Sequence, residues 1–337
     1  MKKVLICLLA TLLALGMFNG NGNAEEKNVN LIIATGGLGG VYYYYGTAVA
    51  EILSQKGGMK ATAIQTAASI DNILLIQKKT DPSSGTFYCG TVLPDSAYLA
   101  YTGKHEKFKE SPAKDLRMLW AMYPNFLHLV TKSDSGIKSL ADLKGKRVST
   151  GAPNSGTEVE AFLVLEAAGI SPKDFTKHER LGAAESAEAL AAGTIDAYFW
   201  SGGLPTASIT ELSTTLSRKG SKMELIPLSP DDPIVKKLLN DFPGVMEANT
   251  IPKDVYGTEK DVPTLAFWNL FLCSASLPEQ VAYTVTKTLF ENLKTLHESV
   301  KASKDTSVEN TVKFTKGIIP THEGALKYFK EVGAIKQ

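Results

Sequence analysis

Arginine and cysteine are scarce in this chain. Among 337 residues there are four arginines, Arg117, Arg147, Arg180 and Arg218, and three cysteines. With a formal net charge of +1 and no basic run, the chain lacks the electrostatic footprint of a nucleic-acid-binding protein. Cys7 falls in an N-terminal apolar run, so only Cys89 and Cys273 could pair. One possible pair implies no disulfide framework, and both are expected as buried small hydrophobes. Catalytic signatures are missing as well. There is no HExxH motif, and His105, His128, His178, His297 and His322 are scattered without metal-ligand spacing. No G-x-S-x-G elbow and no recognisable carboxylate pair occur. These gaps speak against an enzyme and against a metal or cofactor site. After the N-terminus no segment is long and apolar enough to cross a membrane.

What is there begins with residues 1–24. Lys2 and Lys3 precede an apolar run from Val4 to Phe18, and Gly22-Asn23-Ala24 forms a small-residue exit. The pattern predicts a secretory signal peptide cleaved after Ala24, and hence an exported protein. The run is too short to span a bilayer comfortably. Losing Lys2 and Lys3 with the leader takes the formal charge from +1 to −1.

The remaining chain reads as two half-copies. Asn28 to Thr35 predicts a buried strand, followed by "GGLGG" and a helix with Tyr45, Ala48, Val49, Ile52 and Leu53 on one face. Arg147 to Thr150, "GAPNSG" and Thr157 to Ala168 repeat strand, loop and helix, closed by Gly169. Each unit continues with helix, strand and a Leu-Pro loop, Leu93-Pro94 in the first and Leu204-Pro205 in the second. The order of elements predicts two α/β lobes with mainly parallel sheets flanked by helices. The loops at the C-terminal strand ends would then line one cleft between them. Asp115 to Lys132 is the expected crossing between lobes and Met223 to Pro233 the expected return, which gives a hinge crossed twice. The lobes are thus expected over 25–122 with 229–337, and over 123–228.

The glycines do not form a nucleotide cradle. A G-x-G-x-x-G read from Gly37 would need glycine at Tyr42, and no Gly-Lys follows at P-loop distance. They do leave backbone N–H groups at two helix starts, near Gly40-Val41 and Ser155-Thr157, where the helix dipole favours anions. No arginine falls in these loops, so a carboxylate there would be held by amides and hydroxyls. Of the four consecutive tyrosines, Tyr45 is expected in the core and Tyr44 at the surface. Tyr42 is the one best placed to reach the cleft, with Tyr43 the alternate.

The ordered set "TGGLGGVYYYYGTAVAEIL", "LPDSAYLAYTG", "LRMLWAMYPNFLHLV", "GTIDAYFWSGGLPT" and "DVPTLAFWNLFLCSASLPEQVAYTVTKTLFENL" resembles the TAXI family of solute receptors. These are the periplasmic binding subunits of tripartite ATP-independent periplasmic (TRAP) transporters. The resemblance runs from about Val29 to Gly333 and implies a type II-like two-lobed binding protein. Such a receptor captures a small carboxylate or amino-acid-like solute, such as glutamate or 2-oxoglutarate, as a monomer. It delivers that solute to ion-gradient-driven integral membrane subunits, with no cofactor. Carried over by position, the first lobe would contribute Gly39, Gly40, Val41, Tyr42, Ser69, Leu93 and Asp95 to the ligand. The second would contribute Asn154, Ser155, Gly156, Thr157, Gly203 and Pro205. Leu38 stands where the family often has threonine, Tyr44 where it often has proline, and Leu93-Pro94 where it has Gln-Ser, so a different solute selectivity is implied. The alternative is a periplasmic ligand-sensing subunit for a signalling receptor.

Overall fold

A computed structural model describes residues 29–336, so the expected signal peptide lies outside the described residues. The first lobe starts with a parallel trio. Strand β1 (Asn30–Ala34) lies between β2 (Lys60–Ile64) and β3 (Thr86–Val92), with Ile33 opposite Ala63 on one side and Cys89 on the other. Parallel pairing requires crossovers, supplied by α1 (Val41–Lys56) and α2 (Ser69–Lys79). Helix α3 (Pro94–Thr102) follows β3, opens with proline in its first turn, and ends on Gly103 in the left-handed region.

Strand β4 (Leu116–Lys132) is long enough to belong to both lobes. The second lobe repeats the parallel trio: β5 (Arg147–Ser149) lies between β6 (Lys177–Glu179) and β7 (Ala197–Gly202). Here α4 (Gly156–Ala167) and α5 (Ala183–Ala192) are the crossovers, and α6 (Ala207–Arg218) leads away from β7. Gly169 and Gly193 take positive φ just past α4 and at the end of α5.

The return crossing lies elsewhere than expected. Met223–Leu225 forms β8, paired with the far end of β4, and α7 (Pro233–Asp241) packs in the second lobe through Val235 and Leu238. Strand β9 (Glu247–Ile251), the short helix α8 (Lys253–Tyr256) and the first half of β10 (Val262–Ser274) stay there too. Only midway along β10 does the chain return. That strand runs antiparallel to β4 from Ala266↔Phe126 to Ser274↔Leu116, with irregular register between Trp268 and Leu270. The physical reason is pairing. Two crossing strands side by side satisfy each other's backbone through the hinge, which an unpaired Met223–Pro233 link could not do. Residues 229 to about 266 therefore belong to the second lobe rather than the first. Pro124, opposite Trp268, supplies no N–H at the irregular point.

The order β2-β1-β3-β10-β4-β7-β5-β6 is thus two sheets fused through β4 and β10. Each lobe buries an apolar cluster on both faces of its sheet. In the first lobe, α1, α9 (Glu279–Glu291) and α12 (Glu323–Glu331) cover one face, and α2 and α3 the other. Between α9 and α12 the chain forms α10 (Leu293–Ser299) and α11 (Val308–Val312). In the second lobe α4 and α7 oppose α5 and α6. Cys89 and Cys273 are buried, free and directly opposite each other on β3 and β10.

Candidate ligand-binding cleft

The cleft is built first by glycines that admit a partner from the other lobe. Gly39 has φ +79, a region L side chains avoid, and a Cβ on it would stand 3.2 Å from the Cβ of Ser208 in α6. A Cβ on Gly40 would meet the Trp200 ring of β7 at 2.9 Å. What the glycine loop leaves room for is therefore an indole from the second lobe. On the opposite wall, a Cβ on Gly156 would lie 2.3 Å from Leu93 Cδ1 and 2.6 Å from Ser69 Oγ. The second glycine loop also bonds across the cleft. Ile70 N donates to Asn154 O at 3.1 Å, and Lys107 Nζ to Asn154 Oδ1 at 2.5 Å. The lobes are in contact, and the structure is of the closed kind.

Between them lies a cavity of about 60 Å³, room for roughly four to six waters at about 10–15 Å³ each. The first lobe lines it with Gly36, Gly37, Gly40, Val41 and Tyr42, with Thr66 to Ser69, and with Leu93. The crossing strand β4 adds Tyr123 and Asn125. The second lobe adds Ala152, Ser155, Gly156 and Thr157, then Gly182, Ala183, Trp200, Ser201 and Gly202. No ionisable side chain other than tyrosine is on this wall. Three of the four arginines are engaged elsewhere: Arg147 pairs with Asp196, Arg180 with Glu158, and Arg117 donates to backbone carbonyls.

Of the residues carried over from the family, Gly40, Val41, Tyr42, Ser69, Leu93, Ser155, Gly156 and Thr157 line the cavity. Five do not. Gly39 sits at the rim against Ser208 and Ala184, and Asn154 holds the lobes together. A Cβ on Gly203 would face Tyr123 and Ala302, and Pro205 follows a cis peptide in a loop tied by Thr206 N to Tyr256 Oη. Asp95 is wholly buried in the first turn of α3, behind Leu93.

The tyrosines divide their work. Tyr45 is fully buried and accepts from Trp120 Nε1 at 3.0 Å, with Thr306 Oγ1 3.3 Å away, so it fastens α1 to the core. Tyr44 is 47% exposed. Tyr42 lines the cavity, but its hydroxyl donates to Asn269 Oδ1 on β10. Asn269 in turn donates to Tyr123 O at 2.7 Å and Asn125 Oδ1 at 2.8 Å, so this network spans both crossing strands. Burial, with Glu160 and Asp95 nearby, holds the Tyr42 phenol well above its ordinary range, and it stays protonated.

Sequence reasoning missed Tyr123, Ser201 and Trp200. Tyr123 Oη and Ser201 Oγ are buried and make no hydrogen bond with any described residue, while both residues line the cavity. Buried polar atoms without partners mark places where a ligand or water completes the bonding. Each sits inside a stretch that reads as an ordinary strand. Only the pairing of β4 with β7 puts them at one place.

The helix starts are unlike each other. No side chain caps α1, whose N-cap is Gly40. At α4 Ser155 Oγ accepts from Glu158 N at 3.0 Å, and Asn154 N donates to Glu158 Oε2 at 3.0 Å. Thr157 Oγ1 is occupied as well, accepting from Ser201 N at 3.2 Å. Of the two anion sites expected from sequence, the one at α1 is the less encumbered.

The model of the NMT1-like family matches residues 33–333 of this chain. Among solved structures, the periplasmic binding protein BugD is 13% identical with a TM-score of 0.54, over 93% of this chain and 99% of that one. PhnD1 from Prochlorococcus marinus (MIT 9301), solved with methylphosphonate, is 14% identical with a TM-score of 0.53, over 91% of this chain and 99% of that one. MatC (Rpa3494) from Rhodopseudomonas palustris, solved with malate, is 13% identical with a TM-score of 0.52, over 91% and 97%. At such identities the likeness establishes the fold, that of a periplasmic binding protein.

Proposed function

The chain belongs to the NMT1-like family, and from that premise we propose that it is a periplasmic solute receptor of the TAXI kind, serving a TRAP transporter. It captures a small carboxylate or amino-acid-like solute between its lobes and presents the closed form to integral membrane subunits. The observation that carries this reading is the cavity between the lobes, walled without any charged side chain and holding the unpartnered hydroxyls of Tyr123 and Ser201. An anionic group fits at the uncapped start of α1, where amide N–H groups and the helix dipole act together. Small anions in MatC and PhnD1, malate and methylphosphonate, agree with that chemistry. Binding rather than turnover is the proposed role, with the lobes closing on the solute.

The test is mass spectrometry of solute co-purified from the periplasm, followed by thermal-shift titration with small carboxylates and amino acids. The true solute raises Tm with concentration, as any ligand selective for the folded state must. A panel that leaves Tm flat throughout would sink the reading. With the solute in hand, Tyr123→Phe should weaken binding by about 2- to 13-fold, the equivalent of about 0.5–1.5 kcal/mol for one neutral hydrogen bond.

A further inference from the structure

Two buried carboxyl groups remain that the cavity does not use. Asp95, in the first turn of α3, is 0% exposed, and Glu160, in the first half of α4, is 1% exposed. None of their four carboxylate oxygens makes a hydrogen bond of normal geometry with a described residue. They come from opposite lobes. Helix α4 belongs to the second lobe, yet its Val159 and Leu163 pack into the first-lobe cluster beside Ala97 and Ala100 of α3 and Ile70 of α2. The two acids are thus enclosed where the lobes meet, and the Asp95 charge acts on Glu160.

The groups facing them are few. Tyr42 of α1 feels both carboxyls, Ser201 of β7 lies against Glu160, and the backbone N–H groups of Asp95 and Ser96 at the start of α3 act on the Asp95 carboxyl. Charged side chains on the surrounding elements are engaged elsewhere. Asp71 of α2 accepts from Ala67 N, and Lys107, in the turn after α3, donates to Asn154. Glu158 of α4 is paired with Arg180, and Lys237 of α7 with Asp241. Of β10, Trp268 and Leu270 lie on this side with no charge. Among the described residues no cation answers the pair. An unpaired carboxylate shut away from water is strongly disfavoured, and a second one nearby makes it more so.

We propose that Asp95 and Glu160 form a proton-operated latch: the lobes close with at least one proton held between these carboxyls, and loss of that proton releases them. When the lobes part, water reaches both groups and each ionises as an ordinary carboxylic acid. On closure both are stripped of water, and a proton taken from solvent removes a negative charge that no cation offsets there. No other reactant is needed. Burial raises the Asp95 carboxyl in the closed form from 3.8 to about 7, and raises Glu160 by burial and by the Asp95 charge. The sign follows from which state binds more protons. A carboxyl raised by closure favours the closed form fully below its open-state value, and the advantage is lost as pH rises through the closed-form value. Closure is therefore more favourable at pH 5 than at pH 8.

The latch does not depend on which solute fills the cavity, so its test uses the solute-free protein. Small-angle X-ray scattering at pH 5.5 and pH 8.5 should show a larger radius of gyration at the higher pH. Asp95→Asn combined with Glu160→Gln should give one radius at both. Glu160→Gln alone, which keeps the shape of the side chain, serves if the double variant does not fold, and should at least halve the change. His128 is also buried and held neutral, its value lowered to about 4, but it lies on the other face of the second-lobe sheet beside Tyr256. The difference between parent and variant removes its contribution. A parent radius that does not change with pH, or an expansion that the variants share, would overturn the latch. So would recovery of the compact form at pH 8.5 on adding sodium or calcium chloride, which would make the pair a cation site instead.

Discussion

The two glycine loops follow one plan, strand then loop then helix, and end up with different work. The loop before α1 has no side-chain cap and faces the Trp200 ring. The loop before α4 spends its polar groups on itself and on the other lobe. Ser155 caps the helix, Asn154 N goes to Glu158, and Asn154 O takes Ile70 N. A loop that satisfies its own amides can act as a joint, and a loop that does not keeps them for a ligand. The same motif thus gives one solute-facing wall and one fastener. The lobes are related in plan while the cleft between them is asymmetric.

The sharpest way to break this comparison is at Gly156. An added Cβ there must displace Leu93 Cδ1 and Ser69 Oγ, both in the opposite lobe. The closed form alone carries that strain, about 1–3 kcal/mol for overpacking of this kind. Gly156→Ala should therefore lower solute affinity by roughly 5- to 150-fold while Tm without solute stays within about 1–2 °C of the parent. Solute titration beside solute-free melting separates the two effects. A large fall in solute-free Tm with unchanged affinity would place Gly156 in the interior of one lobe.

The next effect concerns the cap that only the second loop has. Ser155→Ala removes the acceptor for Glu158 N and should cost about 1 kcal/mol of folding stability, within about 0.5–2 kcal/mol for such caps. Chemical denaturation measures it as a shift in midpoint at constant slope. The first loop offers no equivalent loss, since Gly40 contributes no side chain. A Ser155→Ala protein as stable as the parent would mean that both loops start their helices in the same way.

Much of this was legible, and the reason is range. The strand–loop–helix order, the stop at Gly169 and the split between Tyr44 and Tyr45 all rest on neighbours within a few residues. The return crossing was not legible, because nothing local distinguishes Val262–Ser274 from a strand confined to one lobe. Its role is set by pairing with β9 at one end and β3 at the other. Asp95 and Glu160 were hidden as a pair for the same reason. Asp95 was expected at the ligand and Glu160 was not singled out, and only the packing of α3 against α4 brings their helices together. Tyr42 shows the limit from the other direction. It was expected at the cleft and is there, but its hydroxyl is spent on Asn269, a residue no short-range pattern connects to it.

The Tyr42 hydroxyl gives the finest division within the first loop, and its exposed neighbour Tyr44 the smallest effect. Tyr42→Phe removes one donor and leaves Asn269 Oδ1 buried without it, while the ring remains on the cavity wall. The loss should appear in stability, at about 1–3 kcal/mol for an orphaned buried acceptor. Solute affinity should change less than it does in Tyr123→Phe, whose hydroxyl has no protein partner to lose. Tyr44→Ser, at an exposed position two residues on, should fall within about 0.5 kcal/mol of the parent. Measured together by denaturation and by solute titration, the three variants assign each ring separately. If Tyr42→Phe cost affinity and spared stability, its hydroxyl would leave Asn269 for the solute on binding. The α1 loop would then bind through side chains as well as amides, and the contrast between the two loops would be one of reach rather than of capping.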